Sequence, residues 1–128
     1  MDGLHLTADL GGCDTSLAAM NDPHALRRAC LQAVMDAGLN AVGELFHRFP
    51  APGGVTGVVL LAESHVAVHT WPELASVTLD VYVCNYGGDN SARAHALLDR
   101  LVASFSPQTA ERHALQRGSS SLLTAGRP

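Results

Sequence analysis

The run Val55-Thr56-Gly57-Val58-Val59-Leu60-Leu61-Ala62, followed at once by Glu63-Ser64 and then His65-Val66-Ala67-Val68-His69-Thr70, holds two strand patterns with almost nothing between them. Residues 55–62 are nearly all apolar, which predicts a central strand covered on both faces. Residues 65–70 alternate apolar and polar, the period of a half-buried strand. The connection Ala62-Glu63-Ser64-His65 has no Gly, Pro or Asn to ease a turn, so a tight link with constrained backbone is expected. Residues 76–84 alternate again, with Val77, Leu79, Val81 and Val83 opposite Thr78, Asp80, Tyr82 and Cys84. Residues 41–49 are a further strand candidate, closed by Pro50-Ala51-Pro52-Gly53-Gly54. Near the start, Leu4, Leu6, Ala8 and Leu10 alternate with His5, Thr7 and Asp9 before Gly11-Gly12 ends that strand.

Two helices separate these strands. Asn21-Asp22-Pro23 supplies a cap and a first-turn proline. Leu26, Ala29, Cys30, Ala33, Val34 and Ala37 then recur at helical spacing up to Gly38, predicting a helix over 23–37. After the polar, Gly-rich residues 85–90, the stripe Ala94, Leu97, Leu98, Leu101 and Phe105 predicts a second helix over 91–104, with a short last strand at 111–117. This order implies an α+β fold: a two-layer sandwich, its antiparallel-rich sheet carrying two main helices on one face. Residues 1–117 are expected to form a single domain, and residues 118–128 (GSSSLLTAGRP) a flexible C-terminal tail.

Composition narrows the function. The 128 residues are 47% hydrophobic and 16% charged, enough apolar material for one core. Net charge is -4, so the basic footprint of a nucleic-acid module is missing. No run approaches the roughly 18 apolar residues of a membrane span. Met1-Asp2-Gly3 lacks the basic-then-apolar pattern of a secretion signal, and the three cysteines show no CxxC spacing. A cytoplasmic protein without membrane or nucleic-acid partners is the expectation. All eight basic residues are arginines. Without a lysine the chain cannot form a Schiff base through its own side chain, nor build a Walker-type phosphate loop.

Chemistry-bearing residues gather between positions 46 and 86. Ser64 follows the tight link, His65 and His69 share a side of one strand, and Cys84 ends the next. A serine, a histidine and a thiol are thereby expected to converge at a strand end. Each also has an ordinary role, as turn serine, half-buried sheet histidine or small core residue. A metal site of His65, His69 and Cys84 lacks the close-set spacing of a structural zinc centre, and no metal is expected.

The runs Phe46-His47-Arg48-Phe49, Gly57 through His65, His69-Thr70-Trp71-Pro72-Glu73 and Asp80-Val81-Tyr82-Val83-Cys84 closely resemble the short bacterial S-adenosylmethionine decarboxylases. His5-Leu6-Thr7-Ala8-Asp9 and Gly12-Cys13-Asp14 match that family's opening strand, and the likeness covers about residues 4 to 117. The resemblance implies self-cleavage between Glu63 and Ser64 into 1–63 and 64–128, with Ser64 converted to a covalent pyruvoyl cofactor. That carbonyl, made from the backbone, would fill the role a lysine-free chain cannot fill. It further implies His69 and Thr56 in processing and Cys84 as the thiol that reprotonates the decarboxylated carbon. Phe49 would stack on adenine with His69 opposite, Glu73 would hold the ribose, and Asp9 would add an acidic contact. The implied product is the aminopropyl donor of spermidine synthesis, and the implied assembly a homodimer of processed protomers. Ornithine or arginine decarboxylation on the same scaffold is the alternative, and an unprocessed, non-enzymatic partner subunit a third. Two departures stand beside these sites. Most members continue Tyr-Gly-Tyr-Ala where this chain has Leu74-Ala75-Ser76-Val77, and the usual glycine after the thiol is Asn85.

Overall fold

The computed structural model describes residues 2–85 and 87–118. Apart from Gly118, the expected C-terminal tail lies outside the described residues. Six strands are joined in the order β2-β3-β4-β5-β1-β6, every neighbouring pair antiparallel. They are β1 (Gly3–Gly11), β2 (Ala41–Arg48), β3 (Val55–Leu61), β4 (Ser64–Trp71), β5 (Ser76–Cys84) and β6 (Thr109–Arg117). The helices are α1 (Pro23–Asp36) and α2 (Ser91–Ala103). Asp22 caps α1 by accepting the His24 N–H, with Pro23 in the first turn, as the sequence implies. Two short 3-10 turns, Ala18–Met20 and Pro72–Leu74, carry no apolar period and escape sequence reading.

Period-two burial gives the sheet two unlike faces. Leu4, Leu6, Ala8 and Leu10 of β1 and Val77, Leu79, Val81 and Val83 of β5 are buried in one core with Leu26, Cys30 and Val34 of α1 and Leu97, Leu98 and Leu101 of α2. Both helices therefore cover the same face. The other face is open. β3 corrects the expectation of a strand covered on both sides: Val55, Val59 and Leu61 are buried, whereas Thr56 and Val58 are half-buried and Leu60 is 49% exposed. Two helices supply one layer only, so the apolar residues on the far side of β3 have no cover among the described residues.

Buried polar contacts lock the end of the sheet that will carry half of the site. Thr70 is the buried polar residue of β4; its hydroxyl donates to the Met20 carbonyl (2.9 Å) and accepts the Val55 N–H (2.8 Å). Gly57 is required because the Phe46 ring lies across it, about 2.1 Å from where a Cβ would stand. Ala75, just after the second 3-10 turn, sits at φ 48°. The resemblance implies glycine at this position in most members. The left-handed region costs a non-glycine residue about 1–2 kcal/mol, of which glycine's greater unfolded freedom returns part. Ala75→Gly is expected to stabilise the uncleaved chain by about 0.5–1 kcal/mol, read as a raised urea midpoint at unchanged m-value.

Candidate active site

Ser64 pairs with Leu61, so β3 and β4 are joined by a loop of only two residues, Ala62 and Glu63. Such a loop needs a residue at positive φ, and here Glu63 takes it, at φ 54°. The constraint expected from a turn without Gly or Asn is thus located on the residue just before Ser64, and amounts to about 1–2 kcal/mol of backbone strain. The Ser64 hydroxyl accepts a hydrogen bond from the Cys84 backbone N–H at 3.1 Å. Serine and thiol residue therefore meet at one end of the sheet. A cleft of about 240 Å³ opens beside them, lined by Ser64, Ala62, Asn40, Asn90 and Arg93 among others.

His69 is elsewhere. Five residues of extended strand put it about 17 Å from Ser64. His69 therefore does not join Ser64 and Cys84 within one chain, because β4 is extended and carries Ser64 and His69 five residues apart; His65, the other histidine of that expectation, directly follows Ser64 and stacks on Tyr82 at 5.6 Å. What His69 does meet is Thr56, its cross-strand partner, with Thr56 Oγ1 and His69 Nδ1 3.0 Å apart. Both border a second cleft, of about 320 Å³, with Phe49, Gly53, Gly54 and Trp71. Its walls are aromatic: His69 lies 5.8 Å from Trp71, and His47 packs edge-on against Phe49 at 4.7 Å. Phe49 and His69 thus share a cleft, as the resemblance implies. Glu73 is exposed in the neighbouring 3-10 turn, and its side chain does not line the cleft. Asp9 lies in the same cross-strand row, through Thr78, about two strand spacings or ~10 Å from His69 on the open face.

Two contributors were not singled out from sequence. His47 is the β2 member of the row His47, Thr56, His69, Thr78, Asp9 and Glu111, which crosses all six strands. Only the strand registers show that row. Asn90 donates to the Cys84 carbonyl at 2.9 Å, tying the start of α2 to the thiol-bearing strand end; an Asn before a helix reads simply as a cap.

The six-stranded, one-sided α+β sheet defines a fold class with solved members. The crystal structure of the adenosylmethionine decarboxylase from Aquifex aeolicus superimposes with a TM-score of 0.81 at 35% identity, covering 91% of each chain. The S-adenosylmethionine decarboxylase family model matches residues 4–118. The S-adenosylmethionine decarboxylase proenzyme of Aquifex aeolicus is 38% identical over 116 residues, 91% of this chain and 81% of that one. The proenzyme of Archaeoglobus fulgidus is 38% identical over 117 residues, covering 91% and 97%. That of Pyrococcus furiosus is 36% identical over 103 residues, covering 80% and 72%. The chain belongs to the S-adenosylmethionine decarboxylase family.

The cysteines divide by environment. Burial pushes the Cys30 thiol up to about 12 and raises that of Cys13 as well. A raised thiol pKa leaves almost no Cys30 thiolate at pH 8, and thiolate is the reactive form. Iodoacetamide at pH 8 is therefore expected to leave Cys30 unmodified in the native protein and to label it once denaturant exposes it, as read by peptide mass mapping.

Proposed function

We propose that this chain cleaves itself between Glu63 and Ser64 and then, as a homodimer, decarboxylates S-adenosylmethionine to the aminopropyl donor of spermidine synthesis. One observation carries the reading: the Ser64 hydroxyl is held on the Cys84 N–H directly after a non-glycine residue in a left-handed turn. With one lone pair of Oγ occupied by that N–H, its proton is free for a base. The oxygen adds to the Glu63 carbonyl carbon, the Glu63–Ser64 C–N bond breaks, and the Ser64 nitrogen leaves as an amine. Loss of the Ser64 α-proton and of the Glu63 carboxylate then gives an alkene, and water removes its nitrogen as ammonia. The strain at Glu63 is relieved on cleavage, which favours the forward direction.

A pyruvoyl group at Ser64 fits its surroundings: it would lie at a strand start, beside the Cys84 amide and facing the 240 Å³ cleft. Such a group would supply an electrophilic carbonyl for the substrate amine and an acceptor for the electron pair left by departing CO2. The chain's own residues do the rest. Cys84 delivers a proton to the carbon that lost CO2. Phe49, His69 and Trp71 give the adenine and the sulfonium flat aromatic faces, which attract a permanent cation without a counter-charge. Glu73 and Asp9 supply acceptors for the ribose hydroxyls and the substrate's cationic end.

Homodimerisation reconciles these roles with the distance. Ser64 opens β4 and His69 stands five residues further along it, towards the other end. A second copy turned over on the open face, its β4 antiparallel to the first, brings Thr56 and His69 of one protomer to Ser64 and Cys84 of the other. The uncovered Leu45, Leu60 and Leu115 of that face, 70%, 49% and 57% exposed, supply apolar surface for the contact. The test is complementation between two inactive chains. Ser64→Ala and His69→Ala are each expected to stay whole and to release no CO2 from S-adenosylmethionine. Refolded together in equal amounts, they should cleave and decarboxylate at roughly a quarter of the wild-type sites, the statistical share with both residues intact. Absence of any recovery would place both residues in one chain's site. CO2 release from ornithine or arginine instead would move the activity to the alternative substrates.

A further inference from the structure

The cleft beside Ser64 contains a cation that the mechanism above does not use. Arg93 lies in the first turn of α2, where the helix dipole disfavours positive charge; the nearby Asp89 carboxylate accepts the Ser91 N–H at 2.9 Å and is not paired with Arg93. Among the described residues no carboxylate pairs with it, although Arg27, Arg100 and Arg112 each have one. It is nevertheless held in place. Its Nη1 donates to Asn90 Oδ1 at 2.9 Å, and Asn90 Nδ2 donates in turn to the Cys84 carbonyl at 2.9 Å. Its stem crosses Gly38, where an added Cβ would stand 3.4 Å from Nε. The guanidinium is thus tied by one side chain to the strand end that carries the thiol, in the cleft that Ser64 lines. One of its five N–H groups is committed to Asn90, and the others remain for an anion.

We infer that Arg93 binds the α-carboxylate of the substrate and so selects an amino acid, with its carboxylate still present, over the decarboxylated product. This rests on the reading that Ser64 supplies the carbonyl to which the substrate amine is joined. The α-carboxylate is one carbon away from that amine, so it must lie in the same cleft. Arg93 is the cationic residue among those lining it. The chemistry of the two clefts then matches the two ends of the substrate: aromatic faces for the sulfonium, a guanidinium for the carboxylate. The contact is one of recognition. Charge leaves the carboxylate as CO2 forms, so a guanidinium there stabilises bound substrate more than the transition state, and its loss falls chiefly on KM.

The test compares processed wild type with Arg93→Ala and Arg93→Lys, measuring KM and kcat for S-adenosylmethionine and the inhibition constant of decarboxylated S-adenosylmethionine. Removing a charged hydrogen-bond partner is expected to raise KM roughly 10- to 100-fold in Arg93→Ala, with a smaller change in kcat. The product lacks the carboxylate, so its inhibition constant should stay within about twofold, a split that general damage to the cleft would not produce. Arg93→Lys, a point charge without the fork, should recover part of the KM effect. An unchanged KM, or a KM and a product inhibition constant that rise together, overturns the assignment. Failure of both variants to cleave while folded also overturns it, by moving Arg93 to self-processing. Wild type that neither cleaves nor decarboxylates removes the parent reading, and is seen before any variant is compared.

Discussion

Everything distinctive about this molecule hangs on the two-residue turn between β3 and β4. Because Leu61 and Ser64 pair directly, only Ala62 and Glu63 remain to reverse the chain, and Glu63 must enter the left-handed region. The same turn fixes the register of β3 against β4, which aligns Thr56 with His69 at the far end of the hairpin. The pairing of β4 with β5 then sets the Cys84 amide on the Ser64 hydroxyl. A glycine in place of Glu63 would have made the turn relaxed, but would have left no strain beside the serine.

The second constraint is one-sided coverage. Two helices cover one face of a six-stranded sheet, and the polar row that crosses all six strands lies on the other. Residues that would be costly in a core sit there instead, His69 half-buried and Asp9 and Glu111 exposed. They come to share that face with exposed leucines. In the proposed homodimer this mixed face meets a second copy, and the separation of the Ser64 and His69 ends is what would give that meeting a chemical purpose.

The fold was legible because its signals are local. The alternation in β1, β4 and β5 and the stripes of α1 and α2 gave each element to within a residue or two, and β6 began two residues earlier than its pattern suggested. β3 misled on its surroundings: apolar residues on both faces look like double coverage whether the second cover comes from the same chain or from another. In the site, Ser64 and Cys84 were correctly joined because one hairpin and one neighbouring strand suffice to place them. His69 stands apart from them: five residues of extended strand separate it from Ser64, and that odd spacing puts the two on opposite faces, both of which follow from the spacing once β4 is seen as one unbroken strand. Arg93 carried a sequence signal, a cation in the first turn of a helix against the dipole, which gains meaning only once α2 is seen to begin beside the serine cleft.

The central claim is that the strained Glu63–Ser64 link is cut by the chain itself and leaves a carbonyl in place of the serine amine. Intact-mass analysis of the purified wild-type protein tests it most directly. The account predicts two fragments, residues 1–63 ending in a free carboxylate and residues 64–128 lighter by one ammonia than the same fragment with an N-terminal serine. A single uncut chain after prolonged incubation, or a second fragment that retains its serine amine, would contradict it.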